Sequence, residues 1–362
     1  MYARVAIVYN EPVFSRYRSR GEDTAVIGVL NAVEAVNHAL LKLGYDVVRV
    51  PLVPPLERTR NKLNELEVDF AFNLFEGFCG YPETEAEVPD ILSALAIPYT
   101  GCTGPALRLT LDKIKTKVIL KSEGIDTPDF QLLNPETILT FQLGYPCIVK
   151  PRSEDASHGL SDRSVAYDFA SLKEQVANIS NFYGGQALVE EFINGREFNL
   201  TVLGNSKCTA LPVSEIDYSL PTAMPRILTF AAKWEPDSLY FHGTKVICPA
   251  KIEAENRERI TGTALEAFRL LGCRGYARVD IRLDEKGRLH VIEVNSNPDI
   301  SPGSGAVCQA EAAGMTYTQF IDKIVQLALE KEYDDSQDSP HGKKRQASLG
   351  GNTAGYARIQ TI

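Results

Sequence analysis

The chain has 362 residues, of which 44% are hydrophobic and 23% charged, with a formal net charge of −9. That length supports two or three compact units with proper cores, and the acidic balance without a basic face excludes a nucleic-acid binder. No apolar run is long enough to span a bilayer, which excludes a membrane-embedded protein.

Met1-Tyr2-Ala3-Arg4 runs straight into an apolar strand, Val5-Ala6-Ile7-Val8-Tyr9, without a signal-peptide pattern. Seven scattered cysteines, never in Cys-x-x-Cys spacing, read as reduced thiols of a cytoplasmic protein. The five histidines form no metal-ligand cluster. The pattern predicts a helix from about Thr24 to Leu43, capped by Asp23 or Thr24 and stopped by Gly44. Strands follow at Tyr45 to Val50 and Val68 to Leu74, then a helix near Val88 to Ala96. Such alternation implies a small, parallel, doubly wound unit over residues 1–104. Asp112 to Glu123 reads as a helix carrying Lys113, Lys115, Lys117 and Lys121. Leu143 to Lys150, Gln186 to Glu191 and Glu197 to Leu203 read as strands, and Ile252 to Leu271 and Tyr317 to Leu329 as amphipathic helices. The polar, Gly- and Ser-rich stretch 332–362 reads as a flexible tail.

The most informative segment is the hairpin Ala277 to Leu283, a turn at Asp284-Glu285-Lys286-Gly287, and His290 to Asn295 followed by Ser296-Asn297-Pro298. Side chains two apart share a face. With a loop over Glu285 to Arg288, Asp280 lies opposite Glu293 and Arg278 opposite Asn295. Two carboxylates, an amide oxygen and a guanidinium then converge, which is a donor set for a hard divalent cation shared with nucleotide phosphates. The ordinary alternative is a solvated charged face. Neither a Walker loop nor a Gly-x-Gly-x-x-Gly fingerprint occurs, so phosphate must be gripped otherwise. Lys150 ends the apolar strand Cys147-Ile148-Val149 beside a small-polar loop, from which it can reach a phosphate oxygen or simply snorkel to solvent.

Arg-x-Asp, Glu-x-Asn-x-x-Pro, the small-residue loop and Ala313-Gly314-Met315-Thr316-Tyr317 resemble the C-terminal part of D-alanine–D-alanine ligases, members of the ATP-grasp superfamily. The similarity runs from about residue 90 to residue 330. It implies an α/β (α+β) ATP-grasp fold with a small N-terminal domain (1–104) and two lobes (105–195 and 196–331) sandwiching ATP. It further implies phosphate contacts from Lys113 and Lys150, and an adenine-binding hinge at Glu190, Phe192 and Ile193. Glu197 matches the ribose carboxylate, Lys233 a lysine that closes over the γ-phosphate, and Asp280, Glu293 and Asn295 the ligands of two Mg²⁺ ions, with Mn²⁺ able to substitute. Arg278 is then placed to stabilise an oxyanion and Ser304 to hold the second substrate.

The implied activity is ATP- and Mg-dependent joining of a carboxylate to an amine through an acyl phosphate, with amino acids, peptides or small acids as substrates. Alternatives are D-alanine–D-alanine ligation with a divergent first site, or an inactive nucleotide-binding regulatory module. The resemblance also suggests a homodimer.

The substrate walls depart from that pattern. Pro298-Asp299 stands where the ligases carry Pro-Gly, so Asp299 is a candidate for reading a substrate ammonium. The glycine-rich N-terminal element is replaced by an Arg-rich stretch, Arg16 to Arg20, and by Glu22. Glu11, Glu22, Glu76 and Glu83 are candidates for an amine, and Arg16, Arg18 and Arg20 for a carboxylate.

Overall fold

The structure, a computed structural model, describes residues 3–13, 15–22 and 24–330. The expected tail and the capping role of Asp23 lie outside the described residues. Strand β1 (Arg4–Asn10) is apolar on both faces because both are covered. Helix α1 (Thr24–Lys42) packs Val29, Val33 and Val36 against Val5 and Ile7 on one side. Parallel neighbours need crossovers, and β1 runs parallel to β2 (Asp46–Leu52) on one edge and, beyond α2 (Leu56–Asn64), to β3 (Phe70–Leu74) on the other. On the opposite face Ala6 and Val8 meet Val88, Ile91 and Leu92 of α3 (Glu87–Ala94). Strand β2 continues past the expected Val50 through Pro51, which an edge strand tolerates because the missing N–H faces no partner.

Thr103 caps α4 (Gly104–Leu111), and the Asp112 carboxylate caps α5 (Lys113–Ser122) by accepting the N–H groups of Ile114 and Lys115. A second, antiparallel sheet comprises β4 (Phe130–Leu133), β5 (Cys147–Lys150), β6 (Val165–Ala166) and, after α6 (Phe169–Tyr183), β7 (Ala187–Glu191), in the order β4-β7-β5-β6. Leu172, Val176 and Ile179 of α6 cover one face at helical spacing. Strand β5 is shorter than the expected Leu143 to Lys150, since Gly144 and Pro146 interrupt it.

The third sheet holds β8 (Gly195–Gly204), β9 (Cys208–Ala210), β10 (Ser214–Tyr218), β11 (Thr244–Ile247), β12 (Gly275–Asp284) and β13 (Leu289–Asn295). Its order is β11-β10-β8-β12-β13, with β9 beside β8. Helices α7 (Phe230–Trp234) and α8 (Leu239–Gly243) lie between β10 and β11, and α9 (Ala254–Leu270) buries Ile260, Ala264, Ala267 and Phe268 against the sheet. Beyond β13, α10 (Gly305–Ala312) and α11 (Tyr317–Leu329) bring Ile321, Ile324 and Val325 back against α1, closing the chain on its first sheet.

The hairpin carries the expected pairs Asp280↔Glu293 and Arg278↔Asn295. Nearer the turn the register differs by one residue, with Ile281 opposite Val291 and Leu283 opposite Leu289. A β-bulge absorbs Ile292 and restores the pairing at the polar end, so Ile292 and Glu293 both face the same cleft.

Gly275 starts β12 with φ +67, and a Cβ there would lie 3.2 Å from the backbone of Gly101. Gly272 has a similar φ of +65 but open space around it. Gly275→Ala is expected to cost about 2 kcal/mol or more, and Gly272→Ala about 1 kcal/mol, the backbone contribution alone. Urea unfolding of both variants checks this; equal losses would show that the close approach contributes nothing.

Candidate active site

The second and third sheets face each other across a cleft of about 840 Å³, part of it open to solvent. It is lined by Lys113, Lys150, Glu190, Phe192, Ile193, Glu197, Lys233, Arg278, Asp280 and Glu293. Asn295 lines a smaller adjoining cavity together with Glu85, Asp155 and Glu293. Ser304 lies outside both, at the N-cap of α10, where its Oγ is buried without a hydrogen-bond partner.

One end of the cleft is apolar, walled by Ile148, Leu160, Ile227, Leu228, Phe192 and Ile292. A flat, uncharged ring fits there beside the chain leaving β7. Arg282 fixes that segment. Its Nη1 donates to the Ile193 carbonyl at 2.8 Å, its Nη2 to Glu197 at 2.5 Å, and its guanidinium lies 5.3 Å from the Phe192 ring. Glu197 also accepts from the Tyr218 hydroxyl at 2.8 Å, all on one carboxylate oxygen, Oε2. The other oxygen keeps its capacity for a hydroxyl-bearing ligand.

The other end is charged. Asp280 takes both bonds of the Arg278 fork at 2.8 Å, a bidentate geometry that leaves the Nη1 of Arg278 without a hydrogen bond among the described residues. Glu293 lies 2.9 Å from Lys113 Nζ. Burial raises the carboxyl's affinity for its proton, but Lys113, with Lys150 and Lys233, outweighs it and brings Glu293 down to about 2. Lys233 has no hydrogen-bond or ion-pair partner among the described residues. Burial and Arg278 lower its pKa, against Glu293, Asp280 and Asp155. It is the uncommitted cation of the cleft.

Glu190 is buried between two lysines, with Lys117 Nζ 2.6 Å from one oxygen and Lys150 Nζ 2.5 Å from the other. Its side chain is thus a counter-ion within the protein. Lys117 was not singled out by sequence reasoning. Its signal is the four-residue spacing from Lys113, which puts both on the buried face of α5. Burial, partly offset by Glu190, takes Lys117 down to about 8.

The substrate walls are built by contacts distant in sequence. Arg16 pairs with Glu154, whose second oxygen accepts from Tyr17 at 2.5 Å. Tyr17 stacks on His158 with centroids 3.7 Å apart. Glu22 meets His158 Nδ1 at 3.1 Å, Tyr183 Oη at 3.1 Å and Arg20 at 3.2 Å. Arg16 and Glu22 are therefore committed inside the protein and Arg20 pairs with Glu22 from an exposed position, while Glu11, Glu76 and Glu83 are exposed. Asp299 closes its own turn by accepting from Ser301 N–H and Oγ–H at 2.8 and 2.6 Å. Asp155, Glu85 and Asn297, which donates to Glu85 at 2.5 Å and to the Phe75 carbonyl at 3.2 Å, escaped sequence reasoning because their roles depend on loop packing.

Two opposed antiparallel sheets closing on a cleft with an apolar end and a charged, carboxylate-bearing end make an ATP-grasp fold. The family model described as "D-ala D-ala ligase C-terminus" matches residues 119–326. An uncharacterized protein of Sinorhizobium fredii is 37% identical over 258 residues, 71% of this chain and 74% of that protein. A D-alanine–D-alanine ligase of Carboxydothermus hydrogenoformans is 33% identical over 313 residues, 83% of this chain and 93% of that protein. The crystal structure of D-alanine–D-alanine ligase from Bacillus anthracis shares the fold, with a TM-score of 0.70 at 24% identity, covering 90% of this chain and 97% of that one. The chain belongs to the D-alanine–D-alanine ligase family and is an ATP-dependent ligase.

Because Glu293 ionises below the ordinary 4.5, its contribution to stability is full above that value and is lost as the pH falls towards 2. Lys113→Met removes the nearest cation and is expected to move the acid limb of unfolding to higher pH. Thermal melts across pH 2–6 check this; an unchanged limb would contradict the assignment.

Proposed function

We propose that this ligase binds ATP with its adenine in the apolar slot, transfers the γ-phosphoryl group to a substrate carboxylate, and lets an amine displace the phosphate to form an amide. The observation that carries this reading is the face-to-face placement of Asp280 and Glu293 in the same cleft as Lys113, Lys150 and the uncommitted Lys233. Residues 105–195 and 196–331 act as the two gripping lobes and 1–104 as the substrate-side domain.

The donors suit Mg²⁺. Two carboxylates and the Asn295 amide are hard oxygen ligands, with neither thiol nor imidazole among them. No group of three or more His, Cys, Asp or Glu among the described residues could hold a metal. Nucleotide phosphates would have to complete the coordination of such an ion, which when bound would neutralise their charge. Lys150 and Lys113 place positive charge along the phosphates, and Lys233 does so at the transferred group. The free Nη1 of Arg278 faces the oxyanion that forms when the amine attacks. Glu197 takes the ribose hydroxyls with its free oxygen. Ser304, whose hydroxyl lacks a partner, holds the second substrate.

The named relatives favour D-alanine, or a small amino acid like it, for both substrates. One observation favours a different first substrate. Glu22 is drawn into the protein's own contacts, with His158, Gly159 and Tyr183 on one oxygen and Arg20 on the other, which leaves it little capacity for an ammonium group.

Phosphate release from ATP and Mg²⁺ across paired D- and L-amino acids and short peptides, with products weighed by mass spectrometry, tests the proposal. The expected product has the mass of the two substrates minus water, with D-alanine leading as the second substrate. Silence across all pairs would overturn the amino-acid assignment. Glu293→Gln is expected to reduce turnover by about 100-fold or more while nucleotide binding is partly kept. Full activity in that variant would contradict the metal assignment.

A further inference from the structure

The Lys117–Glu190–Lys150 chain is a buried charge cluster that the catalytic scheme leaves half unused. Lys117 and Glu190 have side chains 2% and 1% exposed, and Lys150 8%. Lys117 also donates to Thr127 Oγ1 at 2.6 Å, so its ammonium is anchored on the side of Glu190 away from the cleft. Lys150 lines the cleft and Lys117 does not. Two ammonium groups sharing one carboxylate leave one net positive charge, and Lys150 is the member that can offer it to a ligand.

We propose that Lys117 is a positioning residue for nucleotide binding: by sharing Glu190 it keeps Lys150 only partly neutralised and free to meet a polyphosphate. The inference rests on the reading that Lys150 contacts the nucleotide phosphates. Without Lys117, Lys150 and Glu190 form a closed, neutral buried pair. Drawing Lys150 towards a phosphate would then leave Glu190 uncompensated inside the protein, which is strongly unfavourable. With Lys117 in place, Glu190 stays paired whichever way Lys150 turns. Lys113 repeats the arrangement one turn earlier on α5, pairing with Glu293 of the other sheet. One face of a single helix thus supplies a cation to a carboxylate on each side of the cleft.

The test compares affinities for MgATP and for adenosine by calorimetry on the full chain. Adenosine reports the ring slot alone, whereas the ratio of the two reports the phosphate contacts. Lys117→Met is expected to lower that ratio by about tenfold or more while adenosine binding changes little, and Lys117→Arg to restore most of it. Lys117→Met combined with Glu190→Gln removes the closed pair and again leaves Lys150 with one net charge. The ratio is expected to return towards the native value. If Lys117→Met does not fold, that double variant carries the test. A native-like ratio supports the proposal, and a lost ratio overturns it. A ratio unchanged in Lys117→Met, or equal losses for both ligands, also overturns it, since a lysine that only fills space would behave so. Lys150→Met separates the two claims. If it leaves the ratio intact, the phosphate assignment of Lys150 fails first. If it collapses the ratio while Lys117→Met does not, only the role of Lys117 fails.

Discussion

Asp280 and Glu293 face each other across paired strands, and like charges so placed repel unless cations offset them. Much of the surrounding structure supplies those cations. Arg278 comes from the same strand as Asp280, Lys113 from the first turn of α5, and Lys233 from the short helix α7. Two segments outside the hairpin, α5 and α7, therefore have to arrive at one point before it can keep two carboxylates together. Against its burial, Glu293 is held well below the usual carboxylate range by Lys113 first, with Lys150 and Lys233. A polyphosphate with a hard cation can take over the same charges: anionic oxygens for the lysines, a divalent ion for the carboxylates. On the proposed reading, the ion pairs of the cleft lie where nucleotide and metal would bind.

The substrate side is organised differently. There the polar groups meet each other, Arg16 with Glu154, Glu22 with His158 and Arg20, and Glu85 with the Asn297 amide. These contacts stitch the first sheet to the loop after β5 and to the segment after β13. Tyr17 lies flat on His158 at the same junction. A family that keeps its nucleotide floor and exchanges its substrate walls can change substrates without rebuilding its chemistry.

What was legible in the sequence follows the range of the forces involved. The hairpin was readable because period-two alternation and a turn fix strand faces locally. Its polar end paired as expected, although the bulge at Ile292 shows that the simple loop count held only at that end. Strands β9, β10 and β11 are short and partly polar, and carry no periodic signal of their own; β9 and β10 form against β8, and β11 against β10. Lys117 reads as one more surface lysine until tertiary packing buries it against Glu190. Glu22 and Arg16 were candidates for substrate contacts because the sequence cannot tell an unpaired charge from one met by a residue more than a hundred positions away.

The central claim is that the hairpin carboxylates hold a metal ion against the nucleotide phosphates. Electron–nuclear double resonance on Mn²⁺ bound with ATP, using protein carrying ¹³C-labelled carboxylates, tests it most directly. The account predicts that one Mn²⁺ couples both to nucleotide ³¹P and to side-chain carboxylate ¹³C, and that the carbon coupling weakens when Asp280 or Glu293 is replaced by its amide. A spectrum with phosphorus coupling alone, unchanged in those variants, would contradict it.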